Sequence, residues 1–269
     1  GPRLPLLRKA ALVNWIVARP APRPVAAEEL SVSVVVAARN EAGNIANIVD
    51  SVPAMGRHTE LIFVEGASLD DTYARIEREV AMQRRSDLTV SGLRQTGTGK
   101  GDAVRAGFAR AKGDVLMILD ADATVSPADL PQFLEVIASE KAEFVNGSRL
   151  VYPMDDKAMR FLNVIGNKLF ARIFSYLLGQ PLKDTLCGTK VLRAHDYARV
   201  ARGRSYFGDF DPFGDFDLLF GASKLNLKIT EVPVRYGNRT YGETNINRFR
   251  DGAMLFRMSW FALRRLKLI

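Results

Sequence analysis

Short apolar runs that alternate with helical segments constrain the fold of this chain more than any other feature, and the alternation begins at residue 31. Val32–Ala37 is an apolar run, apart from Ser33, and is rich in β-branched residues, and the apolar residues of 44–52 have helical spacing. The same alternation predicts strands at 61–64, 88–93 and 115–119 and helices at 72–83 and 102–111. Buried strands that alternate with helices indicate an α/β fold, a mostly parallel sheet with helices on both faces.

Size and composition limit the class of protein. The chain has 269 residues, of which 47% are hydrophobic, enough to bury one large core. Its single cysteine, Cys187, excludes an internal disulfide framework and favours a reducing compartment, the cytoplasmic side of a membrane. No uncharged apolar run reaches about 18 residues, so no membrane-spanning helix is predicted. The net charge of +8 predicts anionic partners, among them nucleic acid, membrane surfaces and phosphorylated small molecules.

Four segments are predicted along the chain. Gly1 and Pro2 look like the remnant of a cleaved expression tag. A short helix with a proline-rich linker, the α/β domain and a C-terminal amphipathic helix are predicted at 3–30, 31–245 and 246–269. Within the α/β domain the alternation of strands and helices occupies the first half, 31–150, and a different pattern occupies the second half, 151–245.

Two stretches beyond residue 150 carry apolar residues at helical spacing and are predicted as peripheral amphipathic helices. The first covers 161–178 and is flanked by Lys168 and Arg172. The second separates an apolar side from a cationic side, with Leu255, Met258, Ala262 and Leu266 on one and Arg250, Arg257 and Arg264 on the other. Apolar faces flanked by cations are typical of helices that lie on an anionic membrane surface. The alternative is that both helices pack on the core or on another subunit.

Two aspartates directly follow the predicted strand at 115–119. Asp120 and Asp122 therefore emerge at the carboxyl edge of the sheet, where such folds bind ligands, and two residues apart their side chains can point the same way. Carboxylate oxygens suit Mg²⁺ or Mn²⁺, which would also bind oxygens of a diphosphate. The alternative is that the two acids only cap the helix that begins near Ser126.

The loop Thr96–Gly101 contains three glycines and Lys100. Its spacing fits neither the Walker phosphate loop nor the dinucleotide-binding fingerprint. A glycine-rich loop with a lysine close to the two aspartates still suits an anionic ligand. The alternative is a flexible turn before the helix at 102–111.

Several segments occur together in the order and spacing of one enzyme family. In the first half they are VVVAARNEAGNI ending at Ile45, VEGASLDDT at 64–72, GKGDAVRAGF at 99–108 and LDAD at 119–122. On these segments the chain resembles the inverting family 2 glycosyltransferases, which have the GT-A (Rossmann-like) fold.

The second half carries further motifs of the same kind. They are Gly147-Ser148-Arg149, Arg160, Asn167, Asp184 with Cys187-Gly188 and Lys190, DFDLL at 215–219, EVPV at 231–234, and Arg239 with Gly242-Glu243-Thr244. These resemble the polyprenyl-phosphate sugar synthases, the group that includes dolichyl-phosphate mannose synthase. The resemblance covers about residues 31–260.

The resemblance implies a metal-dependent, inverting transfer of a sugar from a UDP- or GDP-linked donor to a polyprenyl phosphate. It makes 31–150 the donor half and 151–245 the acceptor half of a catalytic domain, in an enzyme peripherally associated with an anionic membrane surface on the cytoplasmic side. Asp120 and Asp122 would hold Mg²⁺ or Mn²⁺. The residues implied at the nucleotide sugar are Ala37, Arg39, Glu41, Glu65, Lys100, Asp120, Ala121 and Asp122. Ala37, Glu65 and Gly66 depart from the residues usual in relatives, so the base stays open.

The resemblance also implies a set of cations around the donor and acceptor phosphates, which are Arg149, Arg160, Lys190 and Arg239. Arginine suits such positions because its planar fork pairs with two phosphate oxygens. The residues implied in catalysis are Asp122, Arg149, Asp215, Asp217 and Arg239.

The acceptor decides whether a general base is needed. A lipid phosphate is already anionic at pH 7, whereas a saccharide or alcohol hydroxyl must lose a proton, for which Asp215 or Asp217 would serve. With a phosphate acceptor these two acids would instead position Arg239 or the acceptor, and a charge effect at a helix N-terminus is the structural alternative. The competing functions are therefore a glycosyltransferase for a soluble hydroxyl acceptor and, more remotely, a basic nucleic-acid-binding protein. The cations accompany phosphate-site motifs, so we expect no nucleic-acid partner; a homo-oligomer is left open.

Overall fold

The computed structural model describes residues 18, 21, 23–151, 161–204, 216–239, 241–242 and 248–268. The tag-like remnant, the predicted N-terminal helix, Arg160, Asp215 and the Glu243-Thr244 pair lie outside the described residues.

Within the described part, the chain forms seven strands and eight α-helices. The strands are β1 (Ser31–Ala38), β2 (His58–Glu65), β3 (Leu88–Arg94), β4 (Val115–Asp120), β5 (Phe144–Ser148), β6 (Lys190–Arg193) and β7 (Ile229–Pro233). The helices are α1 (Ile45–Ser51), α2 (Thr72–Met82), α3 (Lys100–Arg110), α4 (Leu130–Ala138), α5 (Phe161–Leu178), α6 (Ala194–Arg202), α7 (Phe216–Lys224) and α8 (Arg248–Leu266).

The seven strands form one sheet in the order β3-β2-β1-β4-β6-β5-β7. The pairs among β1 to β4 and the β5–β7 pair are parallel, and β6 is antiparallel to both of its neighbours. The predicted mostly parallel sheet is confirmed. β1 lies between β2 and β4, and all three strands run in the same direction. The loops that follow them therefore meet at one carboxyl edge of the sheet.

Helices cover both faces of the sheet, as the sequence predicts. Alternate residues of β1 show the division, since Val34 and Val36 belong to the core that contains the buried residues of α1, α2 and α4. Val35 belongs to the opposite core, which contains the buried residues of α3, α5, α7 and α8. Strand side chains point alternately to the two faces, so the continuous apolar run at 34–38 contributes side chains to both cores.

The two peripheral helices lie against each other. The rings of Phe170 on α5 and Phe256 on α8 are 5.0 Å apart. The apolar side that the sequence suggests for a membrane surface is turned inward instead, because Leu255, Met258 and Ala262 are buried in the core. The assignment of these residues to a membrane face is therefore wrong, and the packing alternative holds for them. Among the described residues, no helix combines the length and apolarity that crossing a membrane requires.

Candidate active site

The predicted donor residues converge at the carboxyl edge of the sheet. Ala37 of β1 stands opposite Val64 of β2 on one side and Asp120 of β4 on the other. Arg39 follows in the exposed loop after β1, and Ala121 is buried directly after β4. The pairing of β1 with β2 and β4 is enough to bring together the loops that follow these three strands.

Asp120 is the last residue of β4 and lies against the first residue of α3. Lys100 Nζ is 2.6 Å from Asp120 Oδ1, and the φ of 84° at Gly99 lets the glycine-rich loop turn into this helix. Burial acts to raise the pKa of Asp120, but the charges of Lys100, Lys190 and Arg149 outweigh it and hold that pKa below its usual value. Asp120 is therefore an anion in a strongly cationic setting.

Asp122 has different partners from Asp120. Its Oδ1 accepts hydrogen bonds from the backbone N–H of Thr124 at 3.1 Å and from the Thr124 hydroxyl at 2.8 Å. Its Oδ2 lies 2.8 Å from Arg239 Nη2. A short 3₁₀ turn, Pro127–Asp129, precedes α4, and neither Ser126 before the turn nor Asp129 before the helix makes a side-chain cap. The two aspartates of the triplet are thus not the cap of the following helix.

Arg239 joins Asp122 to the loop that follows β1. Its Nη1 is 2.9 Å from Oε1 of the buried Glu41, whose Oε2 accepts a hydrogen bond from Asn44 Nδ2 at 2.7 Å. Burial raises the pKa of Glu41 although the Arg239 charge opposes this. Close to Arg239 in the chain, the hydroxyl of Tyr241 donates a hydrogen bond to Asp70, in the loop after β2, at 3.2 Å. This part of the chain therefore contacts the loops after both β1 and β2.

The residues present fit a divalent ion bound together with a diphosphate. No group of three or more His, Cys, Asp or Glu side chains able to hold a metal occurs among the residues that the structure describes. The ligands that the protein would supply to the ion are the two carboxylates of Asp120 and Asp122. Mg²⁺ is commonly bound by one or two carboxylates plus substrate phosphates and water, so two acids beside Lys100 and Arg239 suffice.

A cleft of about 390 Å³ lies beside the ends of β2 and β3 and is lined by Glu65, Tyr73, Arg94 and Gln95 among others. Glu65 is buried and accepts a hydrogen bond from the backbone N–H of Ser68. The guanidinium of Arg94 stacks 3.9 Å above the Tyr73 ring. The cleft thus offers a carboxylate and a flat cation, groups that can bind the edge and the face of a base.

Arg149, which the resemblance places near the acceptor, directly follows β5 and is held by Asp184. Asp184 accepts hydrogen bonds from Arg149 Nε at 2.7 Å and Nη2 at 2.8 Å. Burial opposes charge on both side chains, but their mutual hydrogen bonds and charges prevail. They raise the pKa of Arg149 above its ordinary value and lower the pKa of Asp184 to about 2.

Lys190 is fully buried at the start of β6. Its Nζ donates to the carbonyl oxygen of Cys187, and its charge contributes to the low pKa of Asp120. Burial raises the pKa of the Cys187 thiol to about 11, which makes that thiol unreactive. Direct contact of Lys190 with a phosphate stays a prediction, and its position indicates an electrostatic action on Asp120.

Asp217 lies in the first turn of α7, as the helix N-terminus alternative expects. Its Oδ2 is 2.9 Å from Arg204 Nε and 3.8 Å from Arg105 Nη1. Sequence reasoning missed both arginines because they lie far from Asp217 in the chain, Arg105 on α3 and Arg204 just after α6. The only signal was the GKGDAVR segment, which contains Arg105 but not its partner.

The sequence profile described as Glycosyl transferase family 2 matches residues 33–201. The chain is 28% identical to Glycosyltransferase AglJ of Haloferax volcanii, over 81% of this chain and 67% of that protein. It is 28% identical to the Dolichyl-phosphate hexose transferase of the same organism, over 83% and 90% of the two chains. It is also 28% identical to the Undecaprenyl-phosphate mannosyltransferase of Micrococcus luteus, over 75% and 84%.

Solved structures share the fold. Glucosyl-3-phosphoglycerate synthase from Mycobacterium tuberculosis, in complex with Mn²⁺, UDP and glucosyl-3-phosphoglycerate, superimposes with a TM-score of 0.60 at 20% identity, covering 88% of this chain and 80% of that one. The mannosyltransferase PcManGT from Pyrobaculum calidifontis, in complex with GDP-Man and Mn²⁺, has a TM-score of 0.57 at 18% identity, covering 91% and 66%. With the sheet order, the aspartate pair after β4 and the matched profile in agreement, the chain belongs to glycosyl transferase family 2.

Proposed function

We propose that this enzyme transfers a sugar from a UDP- or GDP-linked donor to a polyprenyl phosphate, with inversion at the anomeric carbon. The names of the Haloferax volcanii and Micrococcus luteus relatives support a polyprenyl-phosphate acceptor. The observation that carries this choice over a hydroxyl acceptor is the pairing of Asp217 with Arg204 and Arg105. A carboxylate held between two guanidinium groups serves as their counter-ion, whereas a general base must be able to accept a proton from the acceptor.

The donor half of the site supplies cations for the leaving group. Lys100 and Arg239 are each paired with one aspartate of the triplet, so both lie where a diphosphate would be held. A Mg²⁺ or Mn²⁺ ion bound at Asp120 and Asp122 would neutralise the charge that develops on the departing nucleoside diphosphate. Cations that are already in position stabilise that charge without reorganisation.

The acceptor half orients the incoming phosphate. Arg149 remains charged at all physiological pH values and is half of a rigid ion pair, which suits the binding of a phosphate oxygen. That oxygen forms a bond to the anomeric carbon as the bond from this carbon to the donor diphosphate breaks on the opposite side. No proton is transferred in this step because the attacking oxygen is already anionic.

We also propose that α5 and α8 rest on an anionic membrane surface on the cytoplasmic side, through the side opposite their buried stripes. Tyr176, Phe256 and Trp260 are 65%, 55% and 61% exposed. Exposed cations flank them on the same two helices, Lys168, Arg172, Arg257 and Arg264, and Lys267 directly follows α8. Exposed aromatic rings interleaved with cations suit the interface between lipid headgroups and acyl chains.

The deciding assay offers radiolabelled nucleotide sugars, one at a time, with Mn²⁺ or Mg²⁺ and a polyprenyl phosphate. We expect label in the organic phase for at least one UDP- or GDP-sugar, and loss of that label with a chelator. If no common donor labels lipid, the lipid acceptor is wrong. Label that appears only in a water-soluble glycoside, together with loss of activity in Asp217→Asn at unchanged donor binding, would establish the hydroxyl acceptor instead.

A further inference from the structure

The segment 183–190 links the acceptor side of the site to the donor side. At its beginning, the carboxylate of Asp184 holds Arg149 and also accepts a hydrogen bond from Asn167 Nδ2 at 2.8 Å. Asp184 is fully buried, and Asn167 is nearly so. The backbone N–H of Leu186, within the segment, also donates to Asp184 Oδ1, at 3.1 Å. The partners of this carboxylate thus come from the residue that follows β5, from α5 and from the segment itself, which fixes its position from three directions.

Glu231 on β7 anchors the same segment through its backbone. Its carboxylate accepts the N–H groups of Lys183 and Asp184, each at 2.9 Å. Asn146 Nδ2 on β5 donates to the carbonyl oxygen of Asp184 at 2.6 Å. The main chain on both sides of the Asp184 side chain is therefore fixed by buried or half-buried groups, so the carboxylate has little freedom to move away from Arg149.

At its other end the segment touches the donor carboxylate. A Cβ atom placed on Gly188 would come within 2.0 Å of Asp120 Oδ2 and 2.5 Å of Lys100 Nζ, so only glycine allows this approach. Lys190, which ends the segment, is fully buried. One short stretch of chain therefore sets the distance between Arg149 and the aspartate of the donor site.

We propose that Asp184 is a positioning residue for transfer, which holds the Arg149 guanidinium in the orientation that receives the acceptor phosphate. This inference rests on the proposed function. Asp184 engages Nε and Nη2, so Nη1 is the nitrogen that remains for the incoming phosphate. Because the long arginine side chain is ordered before the acceptor arrives, binding does not have to order it.

The test is the variant Asp184→Asn, which keeps the shape of the side chain and removes its charge. We expect the KM for the polyprenyl phosphate to rise about tenfold, while the KM for the donor changes by less than about twofold. The matched control is Asp196→Asn, because Asp196 is also buried and pairs with an arginine, Arg199, at 2.9 Å on α6. The control should lose thermal stability without any change in the acceptor KM.

A second measurement separates positioning from folding. In an Arg149→Ala background, adding Asp184→Asn should change the acceptor KM by less than about twofold, because a residue that acts through Arg149 has nothing left to position. Asn167→Ala provides a second test if Asp184→Asn does not fold. It removes one hydrogen bond from the same carboxylate and should raise the acceptor KM about threefold.

The outcomes distinguish this inference from the function on which it rests. Wild-type enzyme that labels no lipid with any donor contradicts the proposed function. Wild-type transfer to lipid, with an acceptor KM that Asp184→Asn and Asn167→Ala both leave unchanged, overturns only the positioning role. An equal rise of the acceptor KM in the Asp196→Asn control would also overturn it, since the effect would then follow from lost stability.

Discussion

Arg239 Nη2 lies 2.8 Å from Asp122 Oδ2, a contact that joins two residues 117 positions apart in the chain. The same guanidinium reaches Glu41 through Nη1 at 2.9 Å. A single arginine from the second half of the chain therefore pairs with two carboxylates from the first half. The planar guanidinium binds the two carboxylates through separate nitrogens, so a lysine ammonium at this position would lose one of the two contacts.

Arg239→Gln should reduce kcat/KM for the nucleotide sugar by roughly 10²-fold, and Arg239→Lys should fall between this variant and wild type. The reason is that glutamine removes the charge, whereas lysine keeps the charge and loses the fork. Steady-state kinetics with varied donor would measure both. Arg235→Gln is the control because Arg235 is an exposed neighbour on the same segment. Equal rates in Arg239→Gln and Arg235→Gln would contradict the role of Arg239.

Asp122→Ala should abolish metal-dependent transfer, with a loss of roughly 10³-fold in initial rate, because one of two carboxylates for the ion is removed. The measurement is the rate over a range of Mn²⁺ concentrations. Asp50→Ala, at an exposed ion pair with Arg84, should keep the wild-type rate. Wild-type rates in Asp122→Ala would contradict the metal site itself.

The ion pair of Asp184 should appear in the pH dependence of stability. Its folded pKa of about 2 lies below its ordinary value of 3.8, so the charged form stabilises the fold above about pH 4. This contribution, about 2 kcal/mol, should disappear as the pH falls through 4 towards 2. Urea unfolding of wild type and Asp184→Asn at several pH values would measure it. A difference between the two proteins that is the same at pH 7 and pH 3 would rule out this origin.

The Cys187 thiol should resist alkylation in the folded enzyme. With a pKa of about 11 and full burial, only about one thiol in 10³ is ionised at pH 8, and the thiolate is the reactive form. Mass spectrometry after iodoacetamide treatment should find native protein unmodified and urea-unfolded protein fully modified. Because the chain has one cysteine, the readout is unambiguous. Rapid modification of native protein would show that the segment around Cys187 opens.

Trp260→Glu should weaken binding to vesicles that contain anionic lipid by about tenfold, because an exposed aromatic ring that would enter the lipid interface is replaced by a charge of the same sign as the lipid. Sedimentation with phosphatidylglycerol vesicles would measure the change. Met82→Glu makes an equivalent substitution at an exposed apolar residue of α2, away from α5 and α8, and should bind like wild type. Equal loss in both variants, or no binding by wild type, would contradict the proposed membrane face.

Much of the fold follows from local sequence pattern. Every strand predicted in the first half is present, and the three helices predicted there with bounds, at 44–52, 72–83 and 102–111, begin and end within two residues of the observed bounds. This succeeds because apolar periodicity reflects burial of each element separately. Asp120 and Asp122 were located for the same reason, since residues that follow a buried strand must emerge at the edge of the sheet.

The partners of those residues could not be predicted in this way. Both sides of α8 contain large apolar residues, Leu255 and Met258 on one and Phe256 and Trp260 on the other, so periodicity alone could not tell which side packs on the core. The choice depends on α5, which lies beside it only after folding.

By itself, the sequence determined the order of strands and helices, the position of the aspartate pair at the carboxyl edge, and the family. Only the tertiary structure decided that Arg239 reaches Asp122, that Asp184 holds Arg149, and that Lys190 is buried near Asp120. Periodicity reports how each element meets the core. Charge pairing depends instead on which distant elements share a surface, and that is set by packing over the whole domain.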